Sequence, residues 1–199
     1  MHKKNNLIFL VIPALILSGC REVAVPKPRG HFRIDMPHHS YTTFEGLQDE
    51  NQNSPFTFEY PLYGNLSFNA EYENEKGWFN IEFPAYRAKL YMTYRNINHD
   101  FDELMEQTYK MNVKNHISKA DAISEMYFND EENKIYGILY DLKGNTATAV
   151  QFYLTDSTKH FIRGSLYFAS EPDADSLEPV ISYFREDIIH LIETLRWEQ

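Results

Sequence analysis

Apolar and polar residues alternate with a period of two along much of this chain, and such alternation predicts β-strands. Runs of this kind occur between residues 30 and 94 and again between residues 123 and 168. The later runs are joined by short turn-forming segments, which favour an antiparallel meander. The predicted strands cover residues 30–37, 56–60, 66–68, 78–83, 88–95, 123–128, 134–141, 146–155 and 160–168, and residues 38–54 are predicted to form a loop.

Two segments with a helical period follow different groups of strands. The first begins near Asp100, where Asp100 and Glu103 have the spacing of a capping box. The second extends from Leu177 to Trp197, with Asp175 and Glu178 placed to cap its start, and it is predicted to lie on the sheet. The apolar stripes are Phe101, Leu104, Met105, Thr108 and Met111 in the first helix, and Leu177, Ile181, Phe184, Ile188, Leu191 and Leu195 in the second.

The order of these elements predicts an α+β fold, in which helices pack on an antiparallel, meandering sheet. The order resembles the plan of the PsbP and Mog1 group of sandwiches. About 180 residues remain after the N-terminal leader described next, a length that suits one domain with a substantial core.

The first 19 residues have the composition of a secretion signal. Two lysines precede an apolar run from Leu7 to Leu17, which is shorter than the roughly 20 residues of a membrane-spanning helix. The ending Leu17-Ser18-Gly19-Cys20 resembles the lipobox of bacterial lipoproteins, whose cysteine becomes the first mature residue and carries the lipid. An ordinary signal peptide followed by a chance cysteine is the alternative. We therefore predict a signal peptide over 1–19, a lipidated tether over 20–29 and one domain over 30–199.

The charge of the chain restricts its partners. The formal net charge is -10, and cleavage of the signal peptide removes two lysines and no acid. Nucleic acid and anionic lipid headgroups both require clustered cations, so neither is expected to bind. Cys20 is the single cysteine, and its lipidation leaves no thiol for a disulfide or a cysteine-based zinc site. These features predict a lipid-anchored protein of the cell envelope that faces the periplasm, with the choice of inner or outer membrane left open.

The densest polar cluster covers residues 155–160 and is followed by Arg163. Serine, aspartate and histidine suggest a hydrolase, but side chains of one tight turn splay outward and cannot align in series as a catalytic triad does. A turn capped by Asp156 and Ser157 is the simpler interpretation, and contact with a partner protein is a third. His38 and His39 are interpreted as solvated loop side chains. We predict no catalytic residue, no metal and no cofactor.

Two other functional classes stay open. A hydrolase would need Ser157 or Ser165 within hydrogen-bond reach of a histidine and an acid from elsewhere in the fold. A small-ligand carrier would need a preformed apolar cavity of several hundred Å³, which the 14 tyrosines, 14 phenylalanines and 2 tryptophans of the chain could line.

Four stretches of the chain resemble the gliding motility lipoprotein GldD family of Bacteroidota. They read PKPRGHFRI at 26–34, WFNIEFP at 78–84, KADAI at 119–123, and QFYLTDSTKHFIRGSLYF at 151–168. The resemblance implies a non-catalytic lipoprotein that cells need for gliding and that is linked to type IX protein secretion. Among functional residues, it transfers only the lipid-bearing cysteine, onto Cys20.

The partners expected from this resemblance are the lipid bilayer, through the anchor, and protein components of the gliding and secretion apparatus, with no small-molecule substrate. The exposed surfaces that we expect to contact such proteins are the basic-aromatic segment near the tether and the polar turn. The candidate partner-contact residues are Arg29, His31, Arg33, Asp156, His160 and Arg163.

Overall fold

The computed structural model describes residues 34–44, 46, 55–68, 77–169 and 174–198. These residues belong to a compact unit, Ile34–Gln199. The signal peptide, the lipobox, the tether and three candidate contact residues (Arg29, His31 and Arg33) lie outside the described residues. The predictions for them, and the predicted domain boundaries, therefore stay predictions. Among the described residues, no helix combines the length and apolar character that crossing a bilayer requires.

From residue 56 to residue 194, the described residues form strands and helices in the predicted order. The elements are β1 (Tyr41–Thr43), β2 (Phe56–Thr57), β3 (Glu59–Pro61), β4 (Asn65–Ser67), β5 (Trp78–Phe83), β6 (Ala88–Asn96), α1 (Phe101–Tyr109), β7 (Ala122–Asp130), β8 (Ile135–Lys143), β9 (Thr148–Thr155), β10 (His160–Phe168), α2 (Ala174–Thr194) and β11 (Arg196–Trp197).

One sheet of seven strands dominates the fold, in the order β4-β5-β6-β10-β9-β8-β7. All its neighbouring strands are antiparallel, and β7 to β10 form the predicted meander. The chain leaves β6, passes through α1 to the edge strand β7, and returns strand by strand until β10 pairs with β6. Two small antiparallel pairs, β1 with β3 and β2 with β11, complete the strands of the described residues. The predicted α+β class is confirmed.

The main core lies between one face of this sheet and α2. Its largest members are phenylalanines in nearly parallel stacks, with ring centroids 4.7 Å apart for Phe44 and Phe58 and 5.1 Å apart for Phe44 and Phe79. The predicted stripe of α2 faces this core, although the helix begins at Ala174, so Asp175 lies inside it and is not its cap. The buried α2 residues are Val180, Phe184, Asp187, Ile188, Leu191 and Ile192.

The second face of the sheet carries a smaller core under α1. A π-helical turn, Lys110–Lys114, extends this helix. The prediction that Met111 is buried is wrong: its exposed fraction is 49%, while Asn112 and Val113 are buried. A π-turn takes more residues per turn than an α-helix, which moves the buried positions along the sequence. The residues of this second core are Leu104, Val113, Tyr140, Leu142, Tyr153 and Phe161.

The predicted capping box of α1 does not form. Asp100 occupies the N-cap position, but its side chain makes no capping hydrogen bond to the helix. Its Oδ1 instead accepts from the backbone N–H of Asn98, at 2.7 Å. The Glu103 carboxylate accepts from the Gln107 side chain, at 3.0 Å. It therefore bonds to a residue one helical turn later and not to the N-cap.

The N-terminal part of the domain differs from the prediction. Residues 34–40 have no regular structure, so the predicted strand is wrong over 34–37, and β1 lies in the predicted loop. Side-chain hydrogen bonds, and not strand pairing, fix this segment. The Tyr183 hydroxyl donates to the Pro37 carbonyl, at 2.6 Å, and the Tyr86 hydroxyl donates to the Asp35 carbonyl, at 3.2 Å. Phe44 then enters the main core and is fully buried. A local alternation does not produce a strand where no neighbouring strand pairs with it.

Candidate functional site

The turn between β9 and β10 is closed by the side chain of Asp156. Its Oδ1 accepts from the backbone N–H groups of Thr158, Lys159 and His160, at 2.9, 2.8 and 2.8 Å, and its Oδ2 accepts from the Thr158 hydroxyl, at 2.8 Å. Burial alone would raise the pKa of Asp156, but these donors together lower it. The carboxylate therefore has the structural role of the predicted capped turn.

The His160 backbone belongs to this turn, but its side chain packs against residues of the main core. Its Nδ1 lies 2.8 Å from the Tyr94 hydroxyl, and its ring stacks on Trp197 with centroids 5.0 Å apart. Burial lowers the pKa of His160. The Ser165 hydroxyl points instead to the Gln151 side chain, at 3.4 Å. Within the described residues, neither Ser165 nor Ser157 hydrogen-bonds to a histidine.

The candidate contact residues in this part of the chain do not form one surface. His160 and Arg163 are three residues apart on β10, and the period of two places them on opposite faces of the sheet. Arg163 lies half-buried on the second face, and its Nη1 is 3.1 Å from the Met111 sulfur. Burial, and the nearby Arg95 guanidinium, lower the pKa of Arg163. Among the candidate contact residues that the structure describes, only the Arg163 side chain thus has charged donors that local structure leaves available.

A polar cluster that sequence reasoning missed surrounds Asp187 on α2. Its carboxylate is 3% exposed. Oδ1 lies 2.7 Å from His39 Nδ1 and accepts from the Tyr41 hydroxyl at 3.1 Å, while Oδ2 accepts from the Tyr63 hydroxyl. Burial and Asp187 both raise the pKa values of Tyr41 and Tyr63. The cluster fastens the segment before β1 to α2. His39 lies in the predicted loop and keeps 31% of its side chain exposed, but it is also a partner in this cluster.

One signal in the sequence indicates Asp187. It lies three residues after Phe184 and four before Leu191, so a helical period places it inside the apolar stripe of α2. A carboxylate at such a position needs buried hydrogen-bond donors. The identity of those donors was not predictable locally, since His39 and Asp187 are 148 residues apart in sequence.

The interior gives little room for a ligand at this cluster. A cavity of about 10 Å³ lies between α2 and the sheet, with the Asp187 side chain in its wall. That volume is about one water molecule and far below the several hundred Å³ of a carrier site. In the part of the chain that the structure describes, no group of three or more histidines, cysteines or acids is placed to hold a metal ion.

The fold and these surfaces define a class: an α+β domain with a seven-stranded antiparallel sheet, one fully packed face and one partly covered face. The family model for the gliding motility lipoprotein GldD matches residues 21–197, and the chain belongs to this family. The protein is therefore a membrane-anchored lipoprotein of the cell envelope that takes part in gliding motility.

No curated protein matches the chain. Among solved structures, the chain is similar to cyanobacterial PsbP (CyanoP) from Synechocystis sp. PCC 6803, with 11% identity, coverage of 92% of this chain and 99% of that chain, and a TM-score of 0.47.

Proposed function

We propose that the protein is a non-catalytic accessory component of the gliding machinery and of the associated type IX secretion system. It is held by a lipid on Cys20 at the periplasmic face of an envelope membrane and acts through contacts with other proteins. The observation that carries this proposal is an exposed aromatic surface on the second face of the sheet, beyond α1. Tyr91 and Tyr167 lie there in an edge-to-face pair, with centroids 5.4 Å apart, and are 46% and 37% exposed.

This surface has the composition of a protein-binding site. Tyrosine and arginine are enriched among the residues that dominate binding energy at interfaces. Tyr91 and Tyr167 share their face with Arg95 and Arg163, and Met111 of the π-turn is exposed beside Arg163. The residues that suggested chemistry serve the fold instead: Asp156 closes its own turn and His160 bonds Tyr94. Both observations support binding over bond-breaking.

The test begins with the anchor. Cys20→Ser in gliding cells is expected to release the protein from the membrane and to stop gliding and adhesin export, while Ser18→Ala, which keeps a small residue in the lipobox, is expected to leave all three unchanged. A Cys20→Ser protein that stays membrane-bound in cells that glide and export normally would contradict the proposal.

The second arm identifies partners. Crosslinking in cells, followed by pull-down of the lipidated protein, is expected to recover secretion and gliding components. Recovery of a single small metabolite and no protein would overturn the proposal and favour a ligand carrier.

A further inference from the structure

The two edges of the seven-stranded sheet differ in how well a further strand could pair with them. β4 forms one edge and is three residues long, Asn65–Ser67. β7 forms the other edge and extends over nine residues, Ala122–Asp130, all of which pair with β8 without a shift in register. A very short edge strand is one of the ways in which proteins prevent further pairing. The edge at β7 is long and regular, and it lacks this protection.

The outer side of β7 has no backbone partner among the described residues. In an antiparallel pair, every second residue directs its N–H and C=O groups away from the paired strand. Within the described part of the chain, β7 pairs with β8 alone, so these outward groups bond to no other strand. Long edges are usually protected by proline, by lysine or by a β-bulge. The sequence of β7, AISEMYFND, has neither proline nor lysine, and its pairing has no bulge.

Side chains on both faces of β7 are partly uncovered. Six of the nine residues of the strand are exposed. Met126 and Tyr127 are consecutive, so they lie on opposite faces of the sheet, and they are 37% and 70% exposed. Paired strands place their opposite side chains about 4.5–5.5 Å apart, measured between Cβ atoms. An added strand would therefore gain apolar contact on each face of the sheet.

The charge of this edge indicates what kind of strand fits it. Residues 121–132 contain five acids and no basic residue. Glu125, in the middle of β7, is exposed, and its carboxylate accepts from the hydroxyl of Tyr127 on the same face. Opposite charges on paired strands stabilise a sheet, and like charges destabilise it. A second copy of this chain would bring five more acids to the edge, so a segment with a basic residue opposite Glu125 fits better.

We propose that β7 receives an extended basic segment of a partner protein, which pairs with its outer side as an eighth strand of the sheet. This inference rests on the proposed function, because it specifies one of the protein contacts. Backbone hydrogen bonds to β7 supply affinity, and alternate side chains of the segment supply specificity. On one face an apolar side chain contacts Met126. On the other face a lysine or arginine pairs with Glu125 and contacts the ring of Tyr127.

The open edge is tested first, by amide hydrogen exchange of the full mature lipidated protein in detergent micelles, followed by NMR. The β7 amides that point away from β8 are expected to exchange at least about tenfold faster than those that point toward it. Equal protection of both sets in the dilute protein overturns the open edge and indicates that another segment of the chain covers it. Protection that rises with protein concentration indicates self-pairing and overturns the partner strand.

Strand addition is tested with a defined probe, a nine-residue peptide of alternating threonine and valine with lysine at its centre. The peptide is expected to slow exchange of the outward β7 amides saturably, by at least about fivefold. The same peptide N-methylated at every residue has no N–H donor and is expected to have no effect. A peptide with glutamate at its centre is expected to bind at least about fivefold more weakly. No effect of the lysine peptide, or an equal effect of the N-methylated one, overturns backbone pairing.

The partner is tested in cells with a photo-reactive phenylalanine analogue at position 127 and, as a control, at position 62, where Leu62 is 64% exposed. Crosslinking to a protein is expected from position 127 only, and equal crosslinking from both positions overturns docking at β7. Glu125→Lys is expected to lower the yield at least about fivefold. Glu193→Lys makes the same change of charge at an exposed position of α2 and is expected to leave the yield unchanged. A yield that does not respond to Glu125→Lys overturns the basic segment.

A stability measurement separates binding from folding. Because Glu125 is exposed, Glu125→Lys is expected to move the urea midpoint by no more than about 0.25 M. A larger fall would indicate that Glu125 supports the fold, and a lower crosslinking yield would then not support the ion pair. If the lysine variant does not fold, Glu125→Gln removes the charge alone, and an unchanged yield with that variant overturns the ion pair.

Failure of this inference is distinguishable from failure of the proposed function. The three strands β10, β9 and β8 separate β7 from β6, which carries the exposed Tyr91. Protein crosslinks from an analogue at position 91, with none from position 127, overturn docking at β7 and leave the proposed function intact. Absence of any protein from crosslinks at both positions and from the pull-down overturns the inference and the proposed function together.

Discussion

Replacement of Asp187 by asparagine tests whether one buried carboxylate holds the segment before β1 on α2. Asparagine keeps the shape of the side chain, removes its charge and turns one acceptor oxygen into an NH₂ donor. In the native protein, His39 and Tyr41 contact Oδ1, at 2.7 and 3.1 Å, and the Tyr63 hydroxyl donates to Oδ2. The variant therefore weakens the contacts with His39 and Tyr41, and it places an N–H donor next to the Tyr63 hydroxyl.

The expected loss follows from these contacts. A hydrogen bond to a charged group contributes about 1.5–3 kcal/mol and a neutral one about 0.5–1.5 kcal/mol. The two remaining bonds each lose about 1 kcal/mol, and the Tyr63 hydroxyl loses its acceptor. Because a neutral side chain is easier to bury, part of this loss is offset, and we expect the free energy of unfolding to fall by about 2 kcal/mol. With a urea m-value of about 2 kcal/mol/M, the midpoint falls by about 1 M.

The neighbouring residue supplies the matched control. Glu186 is 66% exposed and lies 3.2 Å from His39 Nε2, so Glu186→Gln removes the same charge at a solvated position. Its effect is expected to stay within about 0.5 kcal/mol. Tyr63→Phe, made in both the native and the Asp187→Asn background, is expected to show a coupling energy of at least about 0.5 kcal/mol. An Asp187→Asn loss no larger than that of Glu186→Gln would refute this account of the cluster.

Three further predictions concern the meander. Gly137→Ala is expected to cost at least about 3 kcal/mol in urea unfolding, because the new Cβ would lie 2.0 Å from the Tyr153 carbonyl oxygen, and a cost below about 1 kcal/mol would contradict it. Asp156→Ala is expected to lower the free energy of unfolding by about 1–2 kcal/mol, and Asp156→Asn, which keeps the Oδ1 acceptor, by less than half of that; equal losses would argue against the capped turn. Burial lowers the pKa of His160, so its contribution to stability is present above about pH 6.5 and is lost as the pH falls towards its lowered value in the folded state. His160→Gln should therefore flatten thermal stability between pH 7 and pH 5 relative to the native protein, as measured by calorimetry, and an unchanged pH slope would exclude this role.

Local patterns predicted those elements whose residues interact with near neighbours in sequence. The meander is an example, because each of its strands pairs with the next across a short turn. The stripe of α2 is another, since its helical period alone defines the buried face. The elements that depend on distant partners were missed: Phe44 is buried against rings from β2 and β5, and nothing adjacent in sequence indicates this.

In the candidate site, too, contacts between residues close in sequence were predictable and contacts between distant residues were not. The capped turn at Asp156 was predictable because its donors lie within four residues. The surroundings of Arg163 were not predictable, since they combine a π-turn with two strands. The extra residue of a π-turn cannot be recognised in the pattern of an apolar stripe. The sequence analysis grouped Arg163 with His160 as candidate contact residues, but the strand period places the two side chains on opposite faces of the sheet.

The unequal covering of the sheet explains how this domain combines stability with the exposed surface that we propose for partner binding. Its main face is closed by α2 and by stacked phenylalanines, and no buried cation is found on it among the described residues. The second face is covered by α1 over the strands β8 to β10, while Tyr91 and Tyr167 remain exposed. A domain without disulfides needs one complete core, and hydrophobic burial on the main face supplies it. The second face carries little of that burial beyond α1. Substitutions at Arg163 or Tyr91 are therefore expected to alter the proposed partner binding while the fold persists, whereas substitutions at Phe44 or Asp187 are expected to destabilise the fold.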